Sequence, residues 1–252
     1  MNRYVAIGSS MAAGPGIRPG APGAPFGSGR SARNYPHLLA RQRGLRLVDV
    51  TFSGATTAHV LTDRQCGAPP QLEALDGSET LVTITVGGND VGYVPMLTAA
   101  MLPTAARMLP KIGTLFDRAA RERAMATVGE SLAAVGAAVR RRAPRARVVF
   151  VDYLTLLPPP GVRAGPLSET DAELGRWIAA ELAERTAAAA AATGCRLVAA
   201  GQASRDHHPW SAQPWTVGAC WPWPWRPAPF HPNFEGMRVC AGMVAEQLDT
   251  AG

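Results

Sequence analysis

A serine hydroxyl becomes a nucleophile only when a base takes its proton and donors stand ready for the charge that its attack creates. This chain carries residue types for all of these jobs, in widely separated stretches. Ser10 follows Tyr4-Val5-Ala6-Ile7, a run that reads as a short buried strand, which Gly8, Gly14, Pro15 and Gly16 break into a turn. A hydroxyl at such a helix start lies beside free backbone N–H groups that favour negative charge. Gly54, within Val50-Thr51-Phe52-Ser53-Gly54-Ala55-Thr56-Thr57, marks a turn whose N–H can approach a ligand closely. Asn89, within Val86-Gly87-Gly88-Asn89-Asp90, presents an amide after two glycines. His231, within Phe230-His231-Pro232-Asn233, supplies an imidazole that titrates in the range a general base requires. Each stretch alone also has a plainer reading: helix caps at Ser9 and Ser10, two strand-exit turns, and a structural histidine.

A sheet would bring these groups together. The β-rich runs are Arg3 to Gly8, Leu45 to Thr51, Thr80 to Val86, Arg147 to Asp152 and Arg196 to Ala200. They lack strict alternation, as strands covered on both faces do. Helical patterns at Asn34 to Gly44, Ala124 to Arg142 and Ser168 to Gly194 separate them, and Met237 to Leu248 closes the chain. Ser168 and Asp171 stand at capping-box spacing. The alternation predicts an α/β fold: a three-layer α/β/α sandwich around a flavodoxin-like parallel five-stranded sheet of order 2-1-3-4-5, in a single domain over residues 1–252. Ligands bind such sheets beyond the carboxyl ends of the strands, where Ser10 falls.

Three regions depart from this plan. Arg18 to Arg33 is a Gly/Pro/Ser-rich loop, expected to form a mobile rim. An apolar helical insertion near residues 95–123 is punctuated by Pro95, Pro103 and Pro110 and reads as broken helix over Met96 to Phe116. It either packs on the sheet or, through methionines such as Met96, forms an adaptable acyl-binding wall. A Trp/Pro-rich loop near residues 206–232 holds Trp210, Trp215, Trp221, Trp223 and Trp225. It either staples a long loop or builds a wall beside His231, with Trp223 and Trp225 as substrate-binding candidates.

With 47% hydrophobic and 17% charged residues in 252, the chain is not a mainly disordered one. Its formal net charge is +6, its positive charge is nearly all arginine, and the run Arg140, Arg141, Arg142, Arg145, Arg147 reads as a solvated helix end. No nucleic-acid partner is expected. No apolar run is long enough to span a bilayer, so no stable membrane insertion is expected. A strand begins almost at Met1 without the features of a secretory leader, which leaves cytosol or export after leader removal. Cys66, Cys195, Cys220 and Cys240 lack zinc spacing; one disulfide among the last three would accord with export. Asp206-His207-His208 are adjacent, and neighbouring side chains rarely converge on one ion. Neither a metal nor another cofactor is expected.

Taken together, Gly8-Ser9-Ser10-Met11, Gly54, Gly87-Gly88-Asn89-Asp90 and His231-Pro232-Asn233 resemble the blocks of the SGNH, or GDSL-type, hydrolase superfamily, in order and at strand ends. Pro69-Pro70-Gln71-Leu72 and Thr80 to Asp90 look most like its actinomycete lipase and esterase branch. The resemblance implies Ser10 as nucleophile, His231 as general base, and Gly54 N–H, Ser10 N–H and the Asn89 side chain as oxyanion hole. It implies a carboxylic ester hydrolase, on short or medium acyl, lipid or acetylated sugar esters, working through an acyl-enzyme. The same site would serve an acyltransferase or thioesterase. Two positions depart from the pattern: Ser9 replaces the usual Asp of the first block, and Ala228 replaces the Asp three residues before the histidine. The second departure would also fit a silent binding protein on this fold. If the chain is an enzyme, Nδ1–H of His231 needs another acceptor. A backbone carbonyl such as that of Ala228 is the preferred reading, because Pro227, Pro229 and Pro232 keep the segment out of regular pairing. Asp206 is the rival.

Overall fold

The computed structural model describes residues 2–221, 223 and 226–250. Strands β1 (Arg3–Gly8), β2 (Arg46–Asp49), β3 (Glu79–Thr85), β4 (Arg147–Val151) and β5 (Arg196–Val198) form a parallel sheet. Its order is β2-β1-β3-β4-β5, as the sequence predicts. Successive side chains of a strand face opposite ways, and here both faces are buried. Val5, Ile7, Val82, Ile84, Val148 and Phe150 enter one core. Tyr4, Ala6, Leu81, Val149 and Val151 enter the other. The edge strands are shorter than their apolar runs. The Asp49 carboxylate accepts from the Thr51 amide at 2.9 Å and turns the chain, while Ala200 already opens a helix.

The helices are α1 (Ser10–Ala13), α2 (Tyr35–Arg43), α3 (Thr57–Leu61), α4 (Tyr93–Ala99), α5 (Thr104–Arg107), α6 (Pro110–Gly113), α7 (Arg118–Arg142), α8 (Glu169–Ala192), α9 (Ala200–Ala203) and α10 (Phe234–Asp249). α7 and α8 cover the first core through Val128, Leu132, Ile178 and Leu182. α2 and α10 cover the second through Leu39, Met237, Cys240 and Val244. Ser168 caps α8 by accepting from the Asp171 amide at 3.1 Å. α7 starts at Arg118 rather than Ala124, because the Asp117 carboxylate caps it and its first turns carry no apolar stripe. Prolines open α5 and α6, so the 96–116 region is the broken helix expected. Arg140, Arg142 and Arg145 donate to the carbonyls of Ala146, Leu72 and Gly77 around the end of α7. Among the described residues no helix is long and apolar enough to cross a membrane. All four cysteines are free thiols, so no disulfide joins the last three.

Candidate active site

β1 ends at Gly8, whose φ of 152° suits glycine and whose absent Cβ would overlap the Thr85 carbonyl of β3. The Gln71 side chain grips this residue on both sides. Gly8 N–H donates to Oε1 at 2.7 Å, and Nε2 donates to the Gly8 carbonyl at 3.0 Å. Ser9 N–H donates to the Thr85 carbonyl at 2.8 Å, and Ser10 then opens α1.

The Ser10 hydroxyl lies 2.8 Å from Nε2 of His231. Nδ1 of His231 donates to the Pro229 carbonyl at 2.7 Å, so Nε2 of the neutral ring is the acceptor for the serine proton. The acceptor on Nδ1 is therefore a backbone carbonyl, but that of Pro229 and not of Ala228. Asp206 lines a different cleft, near Asp152 and Leu156, and makes no hydrogen bond to His231. The residue between acceptor and histidine, Phe230, is fully buried with φ 56°, a left-handed conformation that folds the ring back onto the carbonyl two residues earlier. Among the described residues the segment forms no regular strand, as its prolines predict, and keeps one isolated bridge, Thr216 to Pro232. Phe230 N–H donates to Val217, Val217 N–H to His231, and Asn233 N–H to Trp215, so the pairing uses only residues with donors. Asn233 next caps α10, accepting from Gly236 N–H at 2.9 Å. Burial lowers the His231 pKa from its ordinary 6.5, only partly offset by the Pro229 bond.

Ser10, Gly54 and Asn89 line one cleft. Gly54, with φ 79°, turns its loop beside the cleft. Among the described residues, the amides of Ser10 and Gly54 donate to no protein acceptor. One proton of the Asn89 amide goes to the Ala55 carbonyl at 2.9 Å, which leaves the second for a ligand. Asp90 ties the same loops together: its carboxylate accepts from the Thr57 amide at 3.0 Å and the Thr57 hydroxyl at 2.6 Å, capping the start of α3. Burial raises the Asp90 pKa against the opposing pull of those bonds.

The cleft over these groups measures about 500 Å³ and is walled by Val94, Pro95, Thr98, Ala99 and Leu102 of the α4 region. Met96 is not part of it. On α4 the residues at 94, 95, 98 and 99 share one face, while Met96 and Leu97 point into the core, where both are fully buried. Trp223 is exposed and lies outside the cleft lining. Trp225 lies outside the described residues. Of Asp206-His207-His208, His207 stacks on Trp215 at 3.8 Å and donates its Nδ1–H to the Gln213 carbonyl, while His208 Nδ1 accepts from Trp210 N–H. Two supporting residues escaped the sequence reading. Gln71 appeared there only in a branch-marking motif, and Tyr153, just beyond β4, had no flag except its place at a strand exit.

Residues 6–239 match the GDSL-like Lipase/Acylhydrolase family. Lipase 2 of Streptomyces coelicolor is 34% identical over 97% of this chain and 85% of its own length. A lipase of Streptomyces rimosus is 31% identical over 84% of this chain and 75% of its own. Among solved structures, the extracellular lipase of Streptomyces rimosus superposes with a TM-score of 0.81 at 26% identity, covering 98% of this chain and 99% of that one. Phospholipase A1 of Streptomyces albidoflavus gives 0.80 at 25% identity, covering 100% and 99%. A family match running nearly end to end, together with relatives of this similarity, leads to one classification: the chain belongs to the GDSL-like lipase/acylhydrolase family and is a serine ester hydrolase.

Proposed function

We propose that Ser10 is the nucleophile, His231 the general acid and base, the Pro229 carbonyl the group that orients it, and Ser10 N–H, Gly54 N–H and the Asn89 side chain the oxyanion hole. The Ser10–His231 contact at 2.8 Å, with the other ring nitrogen occupied by Pro229, carries this reading. Ser10 Oγ bonds to the ester carbonyl carbon as its proton passes to Nε2, and the carbonyl oxygen takes up negative charge among the three donors. Nε2–H then protonates the leaving alkoxide. The alcohol departs and the acyl group stays on Ser10. Water gives its proton to Nε2 and attacks, the acid leaves, and the proton returns to Ser10.

The walls of the cleft are mostly aliphatic, which suits the chain of an acyl ester. The relatives named lipase and phospholipase A1 point the same way, to a lipid acyl ester rather than an acetylated sugar. The test is a set of p-nitrophenyl esters of rising chain length beside acetylated sugars and a phospholipid, with Ser10→Ala and His231→Ala as controls. Both variants should lose hydrolysis, a serine-directed phosphonate should label Ser10, and activity should favour acyl chains longer than acetyl. Labelling elsewhere in a fully active enzyme would refute the site, and a preference for acetylated sugars would refute the substrate class.

A further inference from the structure

Behind the reacting serine, one phenol joins two turns. Ser9, the residue before Ser10, is fully buried, and its hydroxyl lies 3.0 Å from that of Tyr153. The Tyr153 oxygen also accepts from Gly88 N–H at 3.0 Å, and Gly88 is the residue before Asn89. The fit is close. A Cβ on Gly88 would collide with the Tyr153 ring, so the bare glycine makes room for the phenol.

We propose that Tyr153 is a positioning residue for ester hydrolysis, its hydroxyl locking the Ser9-Ser10 turn to the Gly88-Asn89 turn so that nucleophile and oxyanion donors keep one spacing. The inference rests on the roles given above to Ser10 and Asn89. A tie is needed on the Asn89 side. Two glycines in succession, the first at φ 114°, open that turn, and its own bonds, Tyr93 N–H to the Gly88 carbonyl at 2.8 Å and Gly92 N–H to the Asn89 carbonyl at 3.2 Å, close it on itself without reaching the Ser9-Ser10 turn. The Ser9 backbone reaches β3 before that turn, where its N–H donates to Thr85, and it is the phenol that reaches Gly88. Burial pushes the Tyr153 hydroxyl up to about 12, so it stays neutral and keeps both bonds across the working range. Ser9 suits this partner better than a carboxylate would. At a fully buried position an ionised group would lose its water, whereas a hydroxyl pair is satisfied without charge.

Tyr153→Phe removes the hydroxyl and keeps the ring. Its kcat should fall about 10- to 100-fold, as a small misplacement of reacting groups does, while KM stays within about threefold. Phosphonate labelling of Ser10 should slow in parallel. Ser9→Ala should move kcat the same way, and adding it to Tyr153→Phe should cost little more, because both break one tie. Tyr93→Phe is the control for a purely structural effect. Tyr93 is buried and, among the described residues, its hydroxyl has no hydrogen-bond partner, so its loss should leave kcat unchanged. A folded Tyr153→Phe enzyme with wild-type kcat would overturn the proposal, as would full additivity with Ser9→Ala. If Tyr153→Phe does not fold, an unchanged kcat in Ser9→Ala overturns it and a reduced one supports it. Ser10→Ala separates the two failures: hydrolysis surviving there refutes the site itself, whereas hydrolysis lost there and undiminished in Tyr153→Phe refutes only the tether.

Discussion

As the proposed general base, His231 works only while Nε2 is unprotonated, and its partner on the other nitrogen is a carbonyl dipole instead of a carboxylate. A carboxylate would hold the imidazolium and raise the pKa; a carbonyl does so less, and burial pulls the value below 6.5. The sign follows. Activity is present above the folded pKa and is lost as pH falls through it, so the acid limb of kcat/KM should have its midpoint below 6.5. A midpoint above that value, measured with a soluble ester, would show that another group controls the ring. Asn89 is the second test at this scale. Asn89→Ala removes one charge-stabilising donor and should cost about 2.7 to 4 kcal/mol in kcat, a hundredfold or more. At this scale the sequence exposes what residue type reveals: a serine at a strand exit, an amide after two glycines, a late histidine. Pro229 stays hidden because any residue has a carbonyl, and which one meets Nδ1 depends on the left-handed turn at Phe230.

Elements decide which of a residue's neighbours it serves. The β1–α1 turn depends on Gln71, whose amide satisfies both backbone groups of the buried Gly8. Gln71→Leu would strand the Gly8 N–H, at about 1 to 3 kcal/mol, while the Gly8 carbonyl keeps the bond from Phe52 N–H at 2.9 Å. A lower Tm together with a lower kcat is therefore expected, and a variant changed in neither would show that Gly8 needs no clamp. α4 gives the complementary case. Filling the cleft from its exposed face with Thr98→Trp should shift the preference towards shorter acyl chains. Met96→Ala should lower stability by about 2 to 5 kcal/mol and leave the chain-length profile as it was. The proline-broken helix was legible from Pro95, Pro103 and Pro110. Which face meets the cleft was not, because both faces of α4 are apolar and only the tertiary contact separates Met96 from its neighbours.

At the scale of the whole molecule, the parallel sheet was readable because the runs between turns are apolar on both faces, which only a sheet covered twice can use, and right-handed crossovers left few strand orders to choose from. The site hangs on that arrangement: Ser10 leaves β1 between β2 and β3, while His231 arrives at the head of α10, packed on the second core through Met237, Cys240 and Val244. On the proposed roles of Ser10 and His231, catalysis requires α10 to stay docked. The cysteines report on this directly. Cys66 is exposed, whereas Cys240 is buried in that interface, and burial pushes its thiol up to about 12. A neutral, enclosed thiol reacts only when α10 lifts from the sheet. In native enzyme a thiol reagent should modify Cys66 quickly and leave activity within about twofold, since an exposed change away from the core costs little. Cys240 should react only as denaturant is raised, with hydrolysis lost in step, because the movement that uncovers it carries His231 away from Ser10. Rapid modification of Cys240 in fully active enzyme would mean that α10 opens without disturbing the catalytic pair, and the dependence of the site on that helix would be wrong.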